Sequence, residues 1–313
     1  MRSVTRPLAM IGAFGALGIA CVKVPYTERR QFNLIPDVVM RPVGKATYDM
    51  MLADLTVRKK GENNKVLQKV GRKISAAAKQ PKYDWQFALI NDDTVNAWCL
   101  PGGYIGFYDG ILPALENEAG MAFVMGHEVG HATAHHGAER LSQQLAVVGG
   151  MVGLELWMKD HTKLKPAERQ VLLGALGVGV SYGVMLPFSR MHEAEADVIG
   201  MMYMASAGYP PAESLKVWDR MDAESGGASM PGFLSTHPTT EKRQANQKDW
   251  LPTARKKYER NKLAYDTKTP LWGKAAKKSA GNDSGNTTSR RGVSETPEKT
   301  ANGSPNTSRR STR

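Results

Sequence analysis

Four of the chain's seven histidines fall within ten residues, in the stretch VMGHEVGHATAHHGAER, residues 124 to 140. Within it, His127-Glu128-Val129-Gly130-His131 has the form H-E-x-x-H. Residues four apart on a helix share one face, about 6 Å apart along the axis, so two imidazoles at that spacing can reach one divalent ion. Glu128, beside the first histidine, can then contact a water held by that ion, the ligand-and-base pattern of zinc hydrolases. The run GMAFVM just before it, residues 120 to 125, gives such a helix an apolar face to bury.

Two imidazoles do not complete a catalytic zinc site, which takes three protein ligands and a water. The third ligand must come from another helix. The segment SRMHEAEADVIG, residues 189 to 200, offers Glu193 and Glu195. One turn beyond Glu193 stands Asp197, able to accept the free ring N–H of a ligand histidine and fix its tautomer. One turn beyond Glu195 stands Ile199, which cannot. The spacing therefore selects His127, His131 and Glu193 as ligands of one zinc ion per chain, Glu128 as base, and Asp197 behind the histidines. Without the upstream pair, the same acidic run would read as a solvated helix face.

Helices must carry these groups. Residues 117 to 136 read as one helix ending at Gly137, and His135 and His136 then sit at its C-terminus, where the helix dipole favours them. His135 also extends the 127–131 face and could back His131. Helical spacing resumes in RMHEAEADVIGMMYMASAG, PAESLKVWDRMDAE and TTEKRQANQKDWL, while DWQFALIND, NAWCL and YIGFYDG have strand character around a Pro-Gly-Gly turn. Residues 46 to 80 read as helix, split near Gly61. The uncharged stretch 170–188 is at the lower edge of membrane-spanning length; being rich in Gly and ending near Pro187, it reads as a buried or substrate-facing helix.

The ends of the chain carry other information. Residues 1 to 20 have a basic start, an apolar run and small residues before Cys21, the layout of a secretory signal; ALGIAC also approaches a lipobox, in which Cys21 would be lipidated. A mitochondrial presequence fits too, because no acidic residue precedes Glu28. Residues 21 to 45 read as an arm or linker, 46 to 270 as the catalytic domain, and 271 to 313 as a disordered basic tail. From Lys274 on, nine Lys/Arg face three Asp/Glu, a net +6 out of the chain's +12. Half the excess charge thus lies outside any core, which argues against a nucleic-acid partner for the fold. The tail suits anionic lipid or plain solubility. Only Cys21 and Cys99 are present, too few for a disulfide framework. Cys99 has no basic neighbour in sequence to make it a nucleophile.

The motifs NAWCLPGG, GHEVGH, SRMHEAEADVIG and STHP together resemble the HtpX-, LoiP- and BepA-like gluzincin metallopeptidases, relatives of the CAAX prenyl proteases and mitochondrial Oma-type peptidases. The resemblance spans residues 25 to 265 and departs at Trp98-Cys99, where small or aliphatic residues are more usual. It implies a mainly helical α+β fold, with a small antiparallel sheet beside the active-site helix. It also implies His237 near the metal, as a donor to the developing oxyanion or as an occupant of zinc's open position. Asn96 and Ala97 would face an extended polypeptide, and Arg243 would brace the site. The implied protein is a zinc endopeptidase of unfolded or misassembled proteins, periplasm-facing in the bacterial envelope, and membrane-anchored through lipidated Cys21. The competing reading is a zinc-stabilised, chaperone-like module that binds without cutting.

Overall fold

The computed structural model describes residues 23–224, 233–238 and 240–262. Residues 1–20, Cys21 and the tail from 271 lie outside them. The first helix, α1 (Asp37–Ala53), follows Pro36 and starts inside the stretch expected to be an arm. Gly61, at φ 104°, turns the chain into α2 (Glu62–Ala78). Leu67, Val70, Gly71, Ile74 and Ala78 form that helix's buried stripe at helical spacing.

Three strands follow: β1 (Gln86–Ile90), β2 (Ala97–Leu100) and β3 (Tyr104–Tyr108). The expectation of an antiparallel sheet holds for the β2–β3 hairpin, whose turn uses Gly102 and Gly103 at φ 95° and 98°. The order is β1-β3-β2, however, and β1 pairs parallel to β3, so the sheet is mixed. The loop 91–96 carries the chain past β3 before the hairpin starts, which leaves β2 on the edge.

After a short helix α3 (Leu112–Leu115), α4 (Glu118–Thr133) opens with the Asn117 side chain accepting from the amides of Ala119 and Gly120. This is the central helix, buried along nearly its whole length against α2, β2 and the later helices α7 and α8. The expected helix 117–136 is two helices. Ala134 and His135 form a break, with His135 in the left-handed region at φ 50°, and α5 (His136–His161) begins beyond it. Gly137, expected to end a helix, lies in the first turn of α5.

The chain then runs through α6 (Pro166–Val180), a π-helical turn (Ser181–Met185) and α7 (Leu186–Ser206). Apart from Leu173, the described residues of 170–188 are not buried. Val171, Val178 and Tyr182 are well exposed, as are Leu145, Val148, Val152 and Leu156 on α5. Met158 and Leu173 fill the seam between α5 and α6, which leaves the remaining apolar faces uncovered. Helices α8 (Glu213–Glu224), α9 (Phe233–Thr236) and α10 (Glu241–Asn261) close the fold, α10 packing on α7 through Ala254 against Val198, Met201, Met202 and Ala205.

α4 and α7 cross in backbone contact. A Cβ placed on Gly126 would meet the Gly200 carbonyl oxygen at 2.7 Å, and one on Gly200 would meet the His127 amide nitrogen at 2.6 Å. Only glycine fits there, and the crossing brings the two motif-bearing helices together.

Candidate active site

Crossing at Gly126 and Gly200 turns His127 and His131 of α4 toward Glu193, two turns along α7. The His127 and His131 Nε2 atoms are 3.1 Å apart. Glu193 Oε2 lies 3.4 Å from His127 Nε2, and its Oε1 3.5 Å from His131 Nε2. Donors bound about 2.0–2.1 Å from a tetrahedral zinc stand about 3.3 Å from one another, so these separations suit that ion. Two imidazoles and a carboxylate are also the donor chemistry of catalytic zinc.

His237, just past α9, completes the set. Its Nδ1 lies 3.2 Å from His127 Nε2 and 2.8 Å from Glu193 Oε2, and the four donor atoms all fall within 4.8 Å of one another. His237 Nδ1 is thus placed as a candidate fourth donor to the same ion. The ring stacks on Phe233, whose amide donates to the Val95 carbonyl beside β2. Its Nε2 points to Glu128, 3.5 Å from Oε1.

Glu128 is 3% exposed, and among the described residues its Oε1 has no hydrogen-bond partner. Burial pushes its carboxyl upward from the ordinary range, opposed by the nearby His237 and His127, while the Cys99 backbone amide favours the charged form. A buried carboxylate beside a metal-type donor set, its Oε1 approached by His237 Nε2 without a hydrogen bond, is placed to take a proton.

The histidine ligand candidates have backing on their far side. His127 Nδ1 lies 3.0 Å from Asp197 Oδ1. Asp197 in turn accepts from Arg243 Nε at 2.7 Å and from its second terminal nitrogen at 2.8 Å. Arg243 is buried, lies over the Trp218 ring and also donates to the carbonyls of His237 and Pro238. Burial alone would drive the His127 ring toward neutrality, but hydrogen bonds to Asp197 and Glu193 raise it to about 9. His131 goes the other way, held by burial well below the ordinary histidine range. Without metal the pair thus carries one proton beyond those of two neutral rings, on His127, which a bound ion must displace.

The substrate-facing pair expected from sequence is disposed differently. Ala97 is 2% exposed, its methyl in the core, and Asn96 Oδ1 accepts from the Ala97 amide. What the open side of β2 presents near Glu128 is backbone, at Cys99. Burial pushes the Cys99 thiol well up, which leaves no thiolate for catalysis.

Sequence reasoning missed a second buried cluster. His136, rather than His135, backs His131: the two Nδ1 atoms are 3.0 Å apart. His136 Nε2 lies 3.3 Å from Glu195 Oε2, and burial lowers this ring to about 4, so it is neutral. Glu195 is pushed up by burial, yet hydrogen bonds from His136, Arg29 and Thr27 bring it down to about 2. His135 instead turns outward to Asp37, 3.6 Å away.

Comparison with known proteins agrees with this chemistry. The profile of the family described as Peptidase family M48 matches residues 61–251. The mitochondrial metalloendopeptidase OMA1 of Schizosaccharomyces pombe is 32% identical over 249 residues, covering 78% of this chain and 70% of that protein. Its namesake in Saccharomyces cerevisiae is 32% identical over 263 residues, 76% of this chain and 71% of that one. The beta-barrel assembly-enhancing protease of Escherichia coli is 29% identical over 189 residues, 58% of this chain and 38% of that protein.

Proposed function

This chain belongs to peptidase family M48 and is a zinc-using metalloendopeptidase; we propose that His127, His131 and Glu193 hold its zinc and that Glu128 moves the proton of the hydrolytic step. The observation that carries this reading is Glu128 itself, buried beside the donor set with an oxygen that no described residue hydrogen-bonds. A closed, purely structural zinc site has no use for such a group, so the chaperone-like alternative fits less well. Zinc bound there supplies Lewis acidity, lowering the pKa of a water to about 7 and polarising a carbonyl. Glu128 takes the proton released as water attacks the scissile carbonyl, then hands it to the leaving amine. Asp197 and Arg243 fix the His127 ring, whose Nδ1–H donates to Asp197.

His237 has to leave this fourth donor position before water and substrate can share the site, so the arrangement described above is a resting one. Once displaced, a ring N–H of His237 can donate to the carbonyl oxygen as charge builds there. The substrate lies extended along the open side of β2, recognised through backbone hydrogen bonds, which suits unfolded polypeptides of varied sequence. Treating the full chain with a chelator should abolish cleavage of reduced casein, and one equivalent of zinc should restore it. Cleavage that survives chelation but stops on alkylation of Cys99 would overturn the reading.

We further assign the enzyme to a membrane, inserted through its α5–α6 hairpin and acting on unfolded or misassembled proteins of the cell envelope. Relatives named for mitochondria and for β-barrel assembly are compatible with such a setting. Support also comes from the α5–α6 hairpin. Leu141–Met158 and Gln170–Phe188, 18 and 19 residues, are each about 27–28 Å long, close to the roughly 30 Å of a hydrocarbon core. An 18-residue window of the second has mean hydropathy 1.8, and apart from Leu173 its described residues are not buried. Glu155 pairs with Arg169 at 3.0 Å near the tip, which removes two isolated charges from the apolar faces. Full-length protein should float with anionic vesicles, and Val152→Asp or Val178→Asp should weaken this about a hundredfold, the cost of an acidic residue at mid-bilayer. Binding that ignores both changes and vanishes with residues 274–313 would move the contact to the tail.

A further inference from the structure

The two imidazoles facing the zinc site are backed by parallel relays. Behind His127 stand Asp197 and Arg243. Behind His131 stand His136 and Glu195, and the relay ends on Arg29, in the segment before α1. We infer that Arg29 is a positioning residue for the metal centre, acting on His131 through Glu195 and His136. This rests on the reading of His131 as a ligand.

The geometry fixes each proton. With His131 Nε2 turned to the metal, its Nδ1–H donates to His136 Nδ1, 3.0 Å away. His136 then keeps its proton on Nε2 and donates to Glu195 Oε2 at 3.3 Å. Arg29 Nε donates to both Glu195 oxygens at 2.9 Å, and Thr27 Oγ1 adds a bond to Oε1 at 2.8 Å. A carboxylate so held cannot rotate away from His136, and His136 in turn fixes the tautomer and tilt of His131. A group that accepts a ligand histidine's free ring N–H commonly sets metal affinity; His136 holds that place, and Glu195 and Arg29 hold His136.

Arg29 also joins the helices that flank the site. Its terminal nitrogens donate to Glu139 of α5 at 2.8 and 2.7 Å, while Glu195 belongs to α7. Gln31 donates to Glu139 at 3.0 Å and to the carbonyl of Ala134, just past the end of α4. Tyr26 and Glu28 adopt positive φ, 64° and 55°, around Thr27, a strained turn of the kind kept where side chains must be aimed. The segment 27–34 is therefore part of the metal site's support, although it lies about a hundred residues from the ligands in sequence.

Zinc affinity of the full chain, measured by competition with a chromophoric chelator, tests this directly, with the visible bands of the cobalt-substituted protein as a second readout. Arg29→Ala should weaken zinc about tenfold, the low end of what loss of a ligand's direct partner causes, and shift the cobalt bands. Arg29→Lys should fall between it and wild type. Because Arg29→Ala leaves two buried carboxylates without their cation, Glu195→Gln, which keeps the shape, supplies a second arm and should weaken zinc in the same direction. Lys23→Ala, which removes only the exposed pair with Glu28, should change neither readout. Wild-type affinity and cobalt bands in Arg29→Ala and Glu195→Gln, even with a lowered melting temperature, would overturn the relay. A wild-type chain that takes up no stoichiometric zinc would instead remove the ligand assignment beneath it.

Discussion

Glu128→Gln should leave one zinc per chain in place and slow cleavage of an unfolded polypeptide by about 100–10,000-fold. The substitution keeps the side chain's size and removes only its capacity to accept a proton. Glu128 is outside the donor set formed by His127, His131, Glu193 and His237, so metal content should not follow activity down. Burial pushes the Glu128 carboxyl up from its ordinary range, opposed by His237 and His127, and this upward push favours proton uptake by the group. Metal analysis and casein cleavage on the same preparations decide the matter. Unchanged cleavage would remove Glu128 from the mechanism, and joint loss of zinc and activity would make it a structural residue.

The donor set was legible because it obeys short-range rules. Two histidines four apart and a carboxylate four before an aspartate are helix-face patterns, which a single sequence displays. The same logic separated Glu193 from Glu195 by asking what stands one turn further on. It failed at Ala134–His135, where a left-handed residue breaks the helix and swaps the roles of His135 and His136. Nothing local announces that break, since Gly137 two residues later is the more obvious stop signal and yet lies within α5.

Long-range partners were harder still. Arg29 and Thr27 meet Glu195 across more than 160 residues, and no periodicity links a proline-bearing segment to a helix so distant. The hairpin shows a different limit. Apolar, uncharged helices satisfy the same pattern whether protein or lipid covers them, so composition alone could not expose Val148, Val152 and Val178. Sheet topology escaped for a related reason: strand character fixes which segments pair poorly with water, whereas the loop 91–96 decides that β1 lies parallel to β3.

Gly200→Ala should be among the most disruptive single changes in the protein, lowering both stability and metal affinity. Its added methyl would lie 2.6 Å from the His127 amide nitrogen and 2.9 Å from the Gly126 carbonyl carbon, both backbone atoms that no rotamer change can move aside. Since ordinary contact begins at 3.4 Å, α4 and α7 must part by about 0.8 Å. Overpacking of this kind costs about 1–3 kcal/mol, a melting-temperature drop of about 2–12 °C for a domain this size. The separation also acts on the site, because His127 lies at the crossing while Glu193 stands two turns away on the other helix. Zinc affinity should fall at least about tenfold, as for other losses of ligand alignment. Gly153→Ala provides the opposite sign: among the described residues no atom lies within 4 Å of a Cβ there, and alanine is favoured over glycine in a helix interior by about 1 kcal/mol. Thermal melts with and without zinc separate the cases. Equal melting temperatures and zinc affinities for the two variants would mean that the α4–α7 crossing neither limits packing nor aligns the ligands.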